Sequence, residues 1–243
     1  MTYVFFFSAL LALAEDAAGC DPDGDDDCSE EIYGIRPSST VTIISTVSGV
    51  ISCFFAPIIG AVTDFTPYRK ALGISTAIFL TLLQAVLIGT VRGTWVAMSI
   101  IFAISSFVYE AQSIACFSFL PEIARLIDEH TMATFSSKFS IIQFISMLLF
   151  VLTISGISAG FGLNAVQTSH LSQSIGVVCL ATGFSAWRKM PFVPAKNKVP
   201  PGKNIITAGF SQNWKTFKGI NEHYGNGLRW FLLANTFGYA GMC

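Results

Sequence analysis

One acidic residue lies deep inside an apolar stretch of this sequence. Glu110 falls within residues 94–120 and is the only charged residue of that run. An ionisable group at membrane depth is costly, and most such groups face a bundle interior and serve a transport pathway. Helical spacing places Ser99, Ser106 and Ser113 on the same face as Glu110. The carboxylate is therefore predicted to point into a bundle of helices rather than into lipid.

Two roles remain open for Glu110. In the first, it contacts a substrate or acts as a proton-coupled switch in a transport pathway. In the second, it is a protonated or hydrogen-bonded structural residue that fixes two helices. The preceding apolar run carries Gln84, and this side-chain amide is the second polar candidate for the pathway.

A group of charges follows an earlier apolar run. The stretch GAVTDFTPYRK contains Gly60, Asp64, Arg69 and Lys70. Pro67 favours a turn because its φ is fixed. The pattern predicts a tight hairpin between two membrane helices, with both basic residues on one side. The alternative is a plain stop-transfer hairpin, which many unrelated membrane proteins have.

Small residues recur every three or four positions in the run before this hairpin. In lipid, such a stripe lets helix backbones approach closely, because association there relies on van der Waals contact. A helix-packing face is therefore predicted, formed by Ser45, Gly49, Cys53, Ala56 and Gly60.

The composition places the chain in a membrane. Hydrophobic residues make up 52% of the chain and charged residues only 12%, against about 25% charged residues in a soluble domain. Long apolar runs suited to a hydrocarbon core of about 30 Å predict an all-α membrane protein. The predicted spans are about 1–14, 38–63, 71–91, 94–120, 139–160 and 170–187.

The first and last apolar runs are shorter than a full span. Residues 1–14 are interpreted as part of a first span, and a signal peptide cleaved near Ala12 and Ala14 is the alternative. Residues 229–243 are interpreted as the start of a seventh span.

Residues 15–37 are predicted to form a solvated acidic loop. The stretch DPDGDDD differs from a calcium-binding loop, because Gly24 stands at the fourth place rather than the sixth and Pro22 interrupts it. Cys20 and Cys28 lie in this loop and are candidates for a disulfide if the loop faces an oxidising lumen. No cysteine pair has the spacing of a metal site, so no metal and no cofactor are predicted.

Positive charges fall on one side of the predicted membrane. If the acidic loop faces outward, only Arg36 and Arg92 lie outside, and the other basic residues lie inside. This asymmetry agrees with the positive-inside rule. The lipid bilayer is thus the expected partner, and no basic patch with interleaved aromatic residues indicates nucleic-acid binding. The sequence shows no nucleophile with a partnered histidine and no nucleotide-binding loop, so no enzyme is predicted.

Two segments in order carry a family resemblance. PIIGAVTDFTPYRKALG and FVYEAQSIACFSFLPEIA resemble the vacuolar effluxer family, the autophagy-linked branch of the major facilitator superfamily. The positions that match the family motif are Tyr109, Glu110, Phe119, Leu120, Pro121, Glu122, Ile123 and Ala124. The fifth span departs from the family pattern, because serines occupy its start where the family usually carries glycines.

The resemblance implies an architecture and a function. It implies the amino-terminal six-helix bundle of a major facilitator transporter over residues 1–187, with partial first and seventh spans. Residues 188–228 would form a basic cytoplasmic loop, and Gly60, Asp64, Arg69 and Lys70 would form a gating loop. The whole protein would export a small molecule, expected to be an amino acid, across the vacuolar membrane. The alternative is a membrane scaffold, a six-span relic that no longer transports.

Overall fold

The computed structural model describes residues 2–20, 31–32, 34–120, 129–190, 197–202, 204–223 and 230. These residues form helices and connecting turns, and this part of the chain contains no strand beyond one isolated bridge between Ile32 and Ile35. The all-α class predicted from the sequence is confirmed. The helices are α1 Tyr3–Ala18, α2 Pro37–Phe65, α3 Arg69–Leu87, α4 Trp95–Phe117, α5 Glu129–Phe161, α6 Ala165–Lys189 and α7 Ile205–His223.

Four of the described helices are long and apolar enough to cross a bilayer. They are α2, α3, α4 and the Thr134–Phe161 portion of α5. The other two helices of the predicted bundle differ from them in length or polarity. Helix α1 has only 16 residues, and α6 buries the polar side chains of Thr168, Ser169, Ser172 and Gln173.

Several helices extend beyond the predicted spans for identifiable reasons. Helix α1 continues past residue 14 through two acidic residues and ends at Gly19, whose φ of 83° forms a left-handed cap. Helix α6 begins at Ala165 rather than at residue 170, because Asn164 and Gln167 form a capping box. Such ends depend on one or two capping residues, which a search for apolar runs overlooks.

Helix α1 lies at the centre of the packing. It contacts α2, α4 and α6, while α3 contacts α4 and α6. Phe6 of α1 is fully buried and stacks on Phe102 of α4, with ring centroids 4.5 Å apart. Leu10 and Leu87 complete the same apolar cluster. Aromatic packing by a short helix thus holds the bundle together.

Helix α5 packs differently from the others. It contacts α6, and residues 134–149 are exposed along their whole length. The α5–α6 junction is joined by Ser158 and Thr168, whose hydroxyl oxygens lie 2.6 Å apart. An apolar helix with so much exposed surface is suited to contact with lipid.

Glycines set the closest helix contacts. A Cβ atom at Gly73 of α3 would overlap the indole ring of Trp187 on α6. At Gly176 of α6, a Cβ atom would lie 2.7 Å from Cγ2 of Thr2. Helix α7 rests on α2 at Gly209, where a Cβ atom would overlap the carbonyl oxygen of Pro57. These contacts require glycine because the neighbouring groups occupy the space of a side chain.

The Gly73 contact gives a test of the α3–α6 packing. We expect Gly73→Ala to lower the free energy of unfolding by about 1–3 kcal/mol, because overpacking displaces the buried Trp187 ring. Thermal unfolding of the purified protein in detergent measures the change. Gly156→Ala on α5 is the matched control, since no described group beyond the local helix backbone lies within 4 Å of its Cβ position. Equal destabilisation by the two variants would contradict the contact.

Candidate functional site

An open cleft of about 360 Å³ lies between α1, α2 and α4. Hydroxyl groups of α2 line one side, and Ser106 and Glu110 of α4 line the other. Aromatic side chains from α1 and α4 lie beside them. The lining residues are Tyr3, Phe7, Ile44, Ser45, Ser48, Gly49, Ser52, Ala56, Phe102, Ser106, Tyr109, Glu110 and Ile114.

Glu110 supplies the carboxyl group of this lining. Its side chain is exposed to the cleft, and the side chains of Tyr3 and Tyr109 line the same space. Ser106, one helical turn away, lines the same cleft. The arrangement combines one carboxyl group with several hydroxyls beside an aromatic wall. Such a site can bind a cationic group and hydrogen-bond its neighbours.

The other two serines of the predicted α4 face, Ser99 and Ser113, lie outside the cleft. Ser113 is half-buried and lies outside the cleft lining. Ser99 is buried, and its hydroxyl donates to the carbonyl oxygen of Trp95 at 2.8 Å. The structure thus brings only Ser106 into the cleft with Glu110.

Gln84 is buried away from this cleft. Its Nε2 donates to the Ser105 hydroxyl at 3.1 Å, and the Thr2 hydroxyl lies 3.5 Å from its Oε1. The amide therefore links α1, α3 and α4. A satisfied buried amide of this kind fixes helix positions, and Gln84 and Glu110 do not meet.

The predicted hairpin forms a compact junction between helix ends. Arg69, the first residue of α3, is 1% exposed. Its Nε donates to the carbonyl of Thr63 in the last turn of α2, and its Nη1 donates to the carbonyl of Ser118 at the end of α4, at 3.4 Å. Carbonyls in the last turn of a helix lack intrahelical partners. One guanidinium therefore joins the ends of two helices to the start of a third.

Lys70 makes the equivalent connection to α6. Its ammonium group donates to the carbonyls of Arg188 at 3.1 Å and of Met190 at 2.6 Å. A cation at a helix C-terminus also interacts favourably with the helix dipole. Neighbouring basic residues therefore cap three helices.

The other hairpin residues also lie at this junction. The carbonyl of Asp64 accepts a hydrogen bond from the backbone N–H of Asn197 at 3.1 Å. The carbonyl of Gly60 accepts one from the Thr63 hydroxyl at 2.8 Å. The segment after α6 is thus connected to the end of α2.

A second polar group marks the opposite end of the bundle. Arg92, in the turn between α3 and α4, forms an ion pair with Asp16 at 3.1 Å and also donates to the Asp16 carbonyl. His170 of α6 lies 2.7 Å from the carbonyl oxygen of Thr90. The exposed ion pair contributes at most about 1 kcal/mol.

A comparison with protein families identifies the chain. The protein-family model described as "Vacuole effluxer Atg22 like" matches residues 6–235 of the chain. The chain belongs to this family. Comparisons with curated proteins and with solved structures gave no match. The apolar helices and the family together indicate a multi-pass membrane protein of the transporter type.

The effluxer motif lies partly within the described residues. Tyr109 lines the cleft, and Leu120 is half-buried just beyond α4. Pro121 and Glu122 lie outside the described residues. Cys20 is disulfide-bonded, and the predicted partner, Cys28, also lies outside the described residues. Cys53, Cys116 and Cys179 are free thiols.

The small-residue stripe of α2 was predicted to be a helix-packing face, and the structure contradicts this prediction. Ser45, Gly49 and Ala56 line the open cleft. Among the described residues, no group from outside the local helix backbone lies within 4 Å of a Cβ placed on Gly49 or Gly60. Helical spacing correctly groups these residues on one face, but it does not reveal that this face borders a cleft. Within the described residues, the stripe is not a helix-packing face.

Tyr3 is a cleft residue that sequence reasoning missed. The first apolar run was interpreted only as part of a span, and Tyr3 stands near its beginning. Its ring packs edge-on against Phe102 and Tyr109. A tyrosine within an otherwise apolar helix is the signal that identifies such a position, because its hydroxyl needs a polar neighbour when buried.

The helix-end junction predicts a specific effect of Arg69→Lys. Arg69 reaches the two carbonyls with two different nitrogens of its planar guanidinium, Nε and Nη1, whereas a lysine at this position has a single nitrogen and loses at least one of the two contacts. We expect a loss of about 1.5–3 kcal/mol in the free energy of unfolding. Thermal unfolding in detergent measures it, and Arg36→Lys, at an exposed position, is the control. Unchanged stability of Arg69→Lys would contradict the proposed role.

Proposed function

We propose that this protein exports small molecules, specifically amino acids, from the vacuole, and that the cleft between α1, α2 and α4 is one wall of the solute pathway. The observation that carries the proposal is the position of Glu110. A carboxyl group in an apolar span is costly, and here its side chain is exposed and lines an open cleft.

The chemistry of the cleft supports an ammonium-bearing solute. A carboxylate binds an ammonium group through charge-assisted hydrogen bonds, while the serine hydroxyls of α2 and α4 can bond to a carboxylate or a carbonyl group. The aromatic side chains offer apolar contact. Free amino acids carry all three kinds of group. Glu110 would act as the ammonium contact or as the proton-coupled switch.

The junction around Arg69 and Lys70 supports a gate at the cytosolic end. In major facilitator architecture the two halves of a transporter rock around a site near the bilayer midplane. Such motion requires helix ends that move as a unit, and the carbonyl contacts of the two basic residues couple α2, α3, α4 and α6. We assign this junction the role of the gating element.

Substitution of Glu110 tests the transport proposal. We expect Glu110→Gln to reduce amino-acid flux about 10–100-fold, because a charge-assisted hydrogen bond worth roughly 1.5–3 kcal/mol is lost. Flux of radiolabelled amino acids through reconstituted vesicles measures the effect. Glu222→Gln, on exposed α7, is the matched control. Unchanged flux would remove Glu110 from the pathway, and absence of flux in the unmodified protein would favour the scaffold alternative.

The orientation of the bundle gives an independent test. We expect Lys218→Cys to react with a membrane-impermeant maleimide added to the cytosolic side of sealed vacuoles, because α7 follows the basic segment after α6. Gly93→Cys, in the α3–α4 turn at the opposite end, should react only after the membrane is permeabilised. Mass spectrometry of the labelled peptide measures both reactions. The reverse labelling pattern would overturn the orientation.

A further inference from the structure

A second cavity lies directly beside the cleft. It has a volume of about 200 Å³ and is bordered by five helices, α1, α3, α4, α5 and α6. Tyr3 and Tyr109 line this cavity as well as the cleft. Their ring centroids are 6.0 Å apart, with planes at 85°. The tyrosine pair therefore forms a shared wall between two spaces.

The second cavity is chemically different from the cleft. Its apolar lining includes Leu80, Phe150 and Leu180. Its main polar side chain, Gln84, is already engaged with Ser105 and Thr2. The cavity thus lacks a charged group among the described residues and suits an apolar occupant. A dry cavity of about 150 Å³ suffices to bind benzene, so this one has room for an aromatic or branched aliphatic group.

The shared wall has the freedom to open. Tyr109 is 40% exposed, and partly exposed side chains change rotamer within nanoseconds. Rotation of its ring would join the apolar cavity to the cleft that contains Glu110. A solute with an ammonium group at Glu110 would then place its apolar part beyond the tyrosine pair.

We propose that the second cavity is a subsite for the apolar side chain of the transported solute, and that Tyr3 and Tyr109 set the size of side chain that enters. This inference rests on the proposed function. The occupant is the solute rather than a lipid chain, because the cavity shares its wall with the cleft. The tyrosines are specificity-determining residues, and Glu110 recognises the common ammonium end.

The first experiment compares solutes of different size. Vesicles containing the reconstituted protein are supplied with radiolabelled glycine, leucine or phenylalanine. We expect Tyr109→Ala to raise the flux ratio of phenylalanine to glycine about tenfold, a change typical of a pocket altered by one group. Tyr109→Trp should lower that ratio. An unchanged ratio in both variants, with glycine still transported, would overturn the subsite while leaving the proposed function intact.

The second experiment fills the cavity without altering the tyrosine pair. Cys179 is a free, exposed thiol that lines the second cavity. We expect its reaction with benzyl methanethiosulfonate to reduce phenylalanine flux about tenfold more than glycine flux. Cys179→Ser should abolish the effect of the reagent, which excludes modification at Cys53 or Cys116. Equal inhibition of both solutes would overturn the subsite, as would lipid density filling the cavity in a structure determined with phenylalanine.

Discussion

The fold depends on how the ends of its helices are satisfied. The last carbonyls of a helix have no intrahelical partner, and they are costly where packing keeps water away from them. Arg69 and Lys70 supply donors to the ends of α2, α4 and α6. The pair stands at the start of α3, where the chain returns into the membrane. The same two residues therefore fix four helices and keep positive charge on one side.

This arrangement explains why the sequence predicts the hairpin but does not predict that its basic residues bind the carbonyls of other helices. The positions of Asp64, Arg69 and Lys70 between apolar runs predict a turn and a charged membrane edge. The carbonyl partners of the basic residues come from Thr63, Ser118, Arg188 and Met190. Every backbone has carbonyls, so the side-chain pattern gives no information on which ones are bound.

The residues of the cleft, too, could be predicted from the sequence only in part. The position of Glu110 within an apolar run follows from the sequence alone, and helical spacing correctly associates it with Ser106. Spacing also associated Ser99 and Ser113 with the same face, yet the packing of neighbouring helices separates them. Gln84 was predicted for the pathway. The structure buries it outside the cleft, where it donates to Ser105 and lines the second cavity. Periodicity defines a face of a helix, whereas the neighbours of that face depend on the tertiary arrangement.

The contact of α7 with α2 constrains evolution at one position. Gly209 rests on the Pro57 carbonyl, with Ala61 Cβ only 2.9 Å from the space where a side chain would start. Any larger residue at position 209 therefore requires α7 to move away from α2. The residue at this position in a homologous sequence consequently indicates whether the helix equivalent to α7 can pack against the helix equivalent to α2 in the same way.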